Sequence, residues 1–244
     1  MEWPLEVTGL VPILVVAYLL AARRVRPSRA RVAAFAAAIA LIVAAFATRL
    51  QPLALHDFLW AHLLQNVVLA EWAPALLVLS LPRAVAARVR VPPLAALPGW
   101  LAVYFTWHLP WLYDWALRHP HSVLHVEHVS YLLAGCLFWW PVIRGETSAG
   151  ATAAYLFAAF VLASPLGLML ALLPRAVYAT YRAAAPTWGL SALADQQIAG
   201  VTMAFEQAIV LFAVFARFFL RFLSEEQRAG ALDELRPRSV DGSR

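Results

Sequence analysis

The chain has 244 residues, of which 63% are hydrophobic and 14% charged, and its mean hydropathy is +0.70. Soluble domains carry about a quarter charged residues, so an ordinary cytosolic enzyme, a small secreted module and a disordered chain are excluded. The apolar residues come in long blocks, which predicts an all-α polytopic membrane helix bundle. A membrane β-barrel would alternate polar and apolar residues instead.

The blocks predict seven helices, at roughly 4–22, 31–48, 58–81, 94–116, 122–143, 151–173 and 194–223. Each has about 18 residues or more, enough to cross ~30 Å of hydrocarbon at 1.5 Å per residue. The first block is preceded by Glu2 and Glu6 and followed by Arg23, Arg24 and Arg26, the reverse of a signal peptide. Pro92-Pro93 precedes the fourth helix, Pro110 sits near its far end, and Pro74 lies inside the third, where a kink is expected. The reading is one transmembrane domain over 1–223 and a polar, flexible cytoplasmic tail over 224–244.

Net charge is +5, and all 19 basic residues are Arg. They lie between apolar blocks, so they read as topology signals and not as a nucleic-acid surface. Nine fall in the first, third and fifth loops and four in the second, fourth and sixth. The positive-inside rule then gives N-out, C-in. Cys136 is the single cysteine, which excludes an internal disulfide and a CxxC metal motif. It reads as a packing residue.

With that topology the polar residues collect in one layer. All seven His fall at the outer face: His56, His62, His108, His119, His121, His125 and His128. His121, His125 and His128 stand at i, i+4 and i+7, on one helix side. Asp195, Gln196 and Gln197 open the last helix at the same face. Met203 follows about 12 Å deeper by helical rise. Imidazole with carboxylate suits copper, zinc or iron, and a thioether tilts the choice toward Cu(I).

Each residue also has a plainer reading. A membrane His often bonds between helices, Met203 can be core, and Asp195 can cap the last helix. The set carries the functional reading, because polar groups in a bilayer are costly and mark functional places. Glu206 lies 11 residues after Asp195, on nearly the same helix side, and suits an ion path. Glu71 lies nine residues after His62, about half a turn away, and is not expected to face the His layer.

Four segments resemble a known family: FLWAHLLQNVVLAEWAPALLVLSLP at 58–82, WHLPWLYDWAL at 107–117, HVEHVSYLLAGCLFWWPV at 125–142 and ADQQIAGVTM at 194–203. They are similar to the CtaG-type cytochrome c oxidase assembly proteins associated with caa3-type oxidases. The resemblance covers well over half the chain. It implies a seven-helix assembly factor of the bacterial inner membrane that binds or delivers copper. Its implied partners are oxidase subunits or copper carriers, with the lipid bilayer as its medium.

Carried over by position, the motif residues are His62, Gln65, His108, Tyr113, His125, His128, Asp195, Gln196, Gln197 and Met203. The metal ligands expected among the candidates are His62, His108, His125, His128, Asp195 and Met203. Gln65, Asn66, Tyr113, Gln196, Gln197 and Glu206 complete the polar site. The family pattern near His62 resembles HMxQH, whereas this chain reads His62-Leu63-Leu64-Gln65-Asn66, and Asn is a poor substitute for imidazole on a soft metal. A metal-free scaffold for oxidase biogenesis and a haem-binding or proton-conducting membrane protein are the alternatives. No enzyme motif (GxSxG, P-loop, HExxH or Rossmann glycines) is present in the sequence, and a non-enzyme is expected.

Overall fold

The structure is a computed structural model that describes residues 4–87, 89–145, 147–184 and 188–234. The described residues form helices and no strand. Among the described residues nine helices build the bundle, α1 Glu6–Arg24, α2 Arg29–Phe46, α3 Leu59–Ser80, α4 Pro93–Trp107, α5 Pro110–Arg118, α6 Val123–Arg144, α7 Ala149–Leu172, α8 Ala179–Ala183 and α9 Ala192–Glu234, with a further helical turn at Arg83–Ala86. Six of these are long and apolar enough to cross a membrane: α1, α2, α3, α6, α7 and α9. A short helical stretch, Leu50–Pro52 continuing into Leu53–Asp57, links α2 to α3.

The fourth expected span is broken. Pro110 has no N–H to donate and its ring would collide with the carbonyl four residues back. The chain therefore leaves the helix at His108-Leu109 and restarts with Pro110 in the first turn of α5. The 15-residue α4 is about 22 Å long by helical rise, short of a full crossing. The last helix runs on past Leu223 to Glu234, so residues 224–234 continue α9 as helix. An Arg221–Glu225 ion pair one turn apart supports that extension. Residues 235–244 of the expected tail lie outside the described residues.

α3 is the central element, with 72% of its span buried, while α1 sits at the edge with 11%. Inside α3 the turn Val68–Trp72 is π-helical, with Ala73 N–H bonded to Val68 O. That wide turn lies just ahead of Pro74, whose missing N–H breaks the regular ladder. Two close helix crossings need glycine. A Cβ on Gly135 of α6 would collide with the Ala70 carbonyl of α3. A Cβ on Gly200 of α9 would stand 2.6 Å from Gly167 O of α7. Small residues are how membrane helices approach each other.

Both ends of α3 are closed by side chains from other helices. At its start, the Asp195 carboxylate accepts the Leu59 N–H at 2.7 Å and the Trp60 N–H at 3.2 Å. At its finish, the Arg144 guanidinium donates to the carbonyls of Val78, Leu79 and Leu81. Helix termini expose backbone groups without partners, and here α9 and α6 supply them. The cap contributed by Asp195 thus belongs to α3 and not to its own helix. Arg144, counted above as a loop charge, is spent on that closure.

Two stability measurements test this architecture. Gly135→Ala should destabilise the detergent-solubilised protein by about 1–3 kcal/mol through overpacking, read as a lower unfolding temperature. Asp195→Ala should cost about 1–2 kcal/mol through loss of a cap, and Asp195→Asn, which keeps one acceptor oxygen, should recover part of it.

Candidate metal centre

The site forms where the first turns of α3 and α6 meet the break between α4 and α5. His62 stands one turn inside α3, on the helix start that Asp195 fixes. It is buried, and its Nδ1 lies 3.1 Å from the Tyr181 hydroxyl. That hydroxyl donates its proton to the Ala54 carbonyl at 2.6 Å. Burial pushes the Tyr181 phenol well above its ordinary range, so it stays protonated. With its one proton committed, the phenol oxygen accepts, and His62 Nδ1 carries the hydrogen. His62 Nε2 then makes no hydrogen bond.

His108 reaches the same state by another route. Its ring Nδ1 lies 2.7 Å from the Tyr104 carbonyl one turn back, at the place where Pro110 ends the helix. A carbonyl only accepts, so Nδ1 is the protonated nitrogen and buried Nε2 is the free one. His128 is held by Glu6 of α1. Its Nδ1 lies 2.7 Å from Glu6 Oε1, and His125 Nδ1 lies 2.6 Å from the same oxygen. His128 Nε2 is again buried without a partner.

Glu127 stands between these rings and is fully buried. Its Oε1 accepts from Asn66 Nδ2 at 3.0 Å and lies 3.6 Å from His62 Nε2. The His62 and His128 ring centres are 6.0 Å apart, and Tyr113 packs 4.9 Å from His62. Glu127 Oε2 and the Tyr113 hydroxyl are buried without partners too. Three imidazole nitrogens and a carboxylate oxygen in this part of the bundle are thus buried without a hydrogen bond. Each imidazole is oriented through its other nitrogen, the arrangement that metal-ligating His residues use.

Among the described residues, the one His/Cys/Asp/Glu group of three whose ligand atoms close within 4.8 Å is Glu6, His125 and His128. Its short contacts are hydrogen-bond lengths. Two ligands on one tetrahedral ion, each ~2.0–2.1 Å from it, stand about 3.3 Å apart. As placed, this trio holds His128 and His125 through a shared carboxylate. His128 joins the two groups, with Nδ1 on Glu6 and its ring 6.0 Å from that of His62.

A small cover closes the region. Asp114 of α5 accepts from the Ala179 and Thr180 N–H groups at 2.9 Å each, which fixes the start of α8. α8 then delivers Tyr181 to His62, and Tyr178 just before it donates to the His108 carbonyl at 3.2 Å.

The predicted residues separate into three groups. His62, His108, His128, Tyr113 and Asn66 come together, with His125 alongside through Glu6. Asp195, Gln196 and Gln65 are turned to backbone work. Gln196 accepts the Val177 N–H at 2.7 Å and donates to Leu170 and Arg175 carbonyls, and Gln65 donates to the Ala45 carbonyl and to Gln51. Gln197 is exposed, as are His56, His119 and His121. Met203 lines an apolar groove between α3 and α9 whose walls carry no imidazole, and Glu206 lies on the same groove. Cys136 is partly buried against the core.

Sequence reasoning missed Glu127, Glu6, Tyr181 and Asp114 as members of the site. Glu127 carried a usable signal, being ionisable in a predicted membrane span. Glu6 was read only as a topology charge. Tyr181 and Asp114 act through tertiary contact and had no local signature.

A sequence model of the cytochrome c oxidase caa3 assembly factor family (Caa3_CtaG) matches residues 16–225. Neither the curated proteins nor the solved structures contained a match to this chain. The match spans α2 to α8 whole, the second half of α1 and most of α9, including every imidazole of the centre, and on it the chain belongs to the cytochrome c oxidase caa3 assembly factor family.

Proposed function

We propose that this multi-pass assembly factor binds copper at the buried His62–His128–Glu127 group and presents it to an oxidase subunit or a copper carrier. The observation that carries the reading is the set of unpartnered buried atoms: Nε2 of His62, His108 and His128 with Oε2 of Glu127. Buried polar atoms without partners are costly, and a cation would satisfy those of His62, His128 and Glu127 once their ligand atoms, which do not all lie within 4.8 Å of one another as placed, close on it. The donor set is imidazole and carboxylate, which copper accepts. Support for Cu(I) from a thioether falls away, because Met203 lines the groove and not the imidazole pocket.

The roles follow from the contacts. His62, His128 and Glu127 would hold the ion, with His108 and Tyr113 in the wall. Glu6, Tyr181 and Asn66 keep the rings and the carboxylate turned inward. His125, partly exposed and bonded to Glu6 beside His128, lies on the way in. With the N-terminus outside, this end of the bundle faces the non-cytoplasmic side of a bacterial inner membrane, where copper arrives.

Metal analysis of protein purified under copper-replete conditions should find about one copper per chain. A His62→Ala/His128→Ala double variant should lose it, and the isosteric Glu127→Gln should lose most of it with an unchanged unfolding temperature for the metal-free form. Copper absent from the wild-type protein, or retained in both variants, would leave a metal-free scaffold as the reading. A second test separates ligand from orienting group. Glu6→Gln should weaken copper affinity about 10–100-fold, as outer-shell changes do, while Met203→Leu should leave it unchanged in a competition titration.

A further inference from the structure

α3 and α9 each carry a carboxyl that the metal centre does not use. Glu71 lies about 14 Å along α3 from His62 by helical rise. It is 1% exposed, and Glu206 is 9% exposed. Reciprocal bonds across the seam bring them together: Gln207, next to Glu206, donates to Glu71, and Trp72, next to Glu71, donates to Glu206. Two neighbouring carboxylates in apolar surroundings cannot both stay ionised, so a proton is retained.

The side chains that donate to the pair are neutral, and no cation faces it among the described residues. Trp72 Nε1 donates to Glu206 Oε1 at 2.5 Å. Gln207 Nε2 donates to Glu71 Oε1 at 3.3 Å and to the Tyr104 hydroxyl at 3.0 Å. Tyr104 of α4 is the other titratable group facing the pair. Neither carboxyl has an ion pair among the described residues. Gln207 is fully buried, yet its Oε1 has no partner, and neither has Oε2 of Glu71 or of Glu206. These three buried oxygens lack a donor, and a proton on a carboxyl supplies one.

The pair is also reachable. A groove of about 260 Å³ between α3 and α9 is walled by Leu63, Val67, Trp72, Met203 and Ile209, and Glu206 lines it. Phe205 and Ile209 at its mouth are more than half exposed on the apolar outside of the bundle. The approach to Glu206 is through hydrocarbon and not through the polar end where the His residues lie.

We propose that Glu71 and Glu206 form a proton-binding site within the membrane, distinct from the metal centre, in which two carboxyls of α3 and α9 hold one proton and Glu206 opens laterally to the lipid. Removing the proton leaves two carboxylates in contact, which drives α9 away from α3 along the groove. Uptake and release of the proton are thereby tied to the seam between these helices.

An apolar carbodiimide tests the site on the full chain in lipid vesicles at neutral pH. A carboxylic acid adds to the reagent, its oxygen bonding to the central carbon and its proton passing to nitrogen, and an ionised carboxylate without that proton does not react. Peptide mass spectrometry should find dicyclohexylcarbodiimide on Glu206, with little or no labelling by a water-soluble carbodiimide. Infrared spectra of the unmodified protein should show a carboxylic acid C=O band that shifts in D2O and is lost in the Glu71→Gln/Glu206→Gln double variant. Absence of both adduct and acid band overturns the proton site, and equal labelling by the water-soluble reagent overturns the lateral approach. Copper content plays no part in either readout, so failure of the metal reading leaves this result standing.

Discussion

A polar group inside hydrocarbon has no water to bond to, so it must find its partner within the bundle. That constraint organises this protein from the helix ends inward. The start of α3 is closed by a carboxylate from α9, and its finish by a guanidinium from α6. With both ends fixed, the most buried helix becomes a reference against which His62, Asn66 and Glu71 take defined directions. Backbone satisfaction and site construction are then the same set of contacts, since the residue that closes α3 also sets the depth of His62.

The same constraint explains why the histidines are oriented so uniformly. A buried imidazole must bond through at least one nitrogen, and in all three buried rings that nitrogen is Nδ1. The three acceptors differ completely: a tyrosine hydroxyl, a backbone carbonyl freed by a broken helix, and a carboxylate from α1. Their common outcome is a buried Nε2 that makes no hydrogen bond. Convergence by unrelated routes is hard to explain as packing alone, and it gives the metal reading its physical basis. Asn66 belongs to this economy as well. At a position where the family pattern resembles histidine, it donates to Glu127 and so holds the carboxylate in place of supplying a ligand.

Polar chemistry in the bundle is divided by depth. The imidazole region lies at one end beneath a small cover of α8. The Glu71–Glu206 pair lies deeper, at a seam where a π turn in α3 stands next to the carboxyl of α9. π turns are frequent at functional places because they change a helix's register locally. Tyr104 stands between the two regions, with its carbonyl on His108 and its hydroxyl on Gln207.

By itself the sequence determined the class of fold, the spans and the layer of histidines, because burial in lipid forces apolar blocks of fixed length and makes each polar residue conspicuous. The family was legible for the same reason, in DQQ, in EH…FWWP and in the residues around His62. What each polar side chain does was decided only by tertiary contact. Asp195 and Gln196 look like ligands in a list and are backbone anchors in space. Met203 fits a copper site by type but lies on an apolar groove. Glu6 and Tyr181 come from distant parts of the chain and turn imidazoles that a helical wheel cannot orient. Hydropathy is a property of one segment, whereas a hydrogen bond in the bilayer belongs to two, and only the packed bundle says which two.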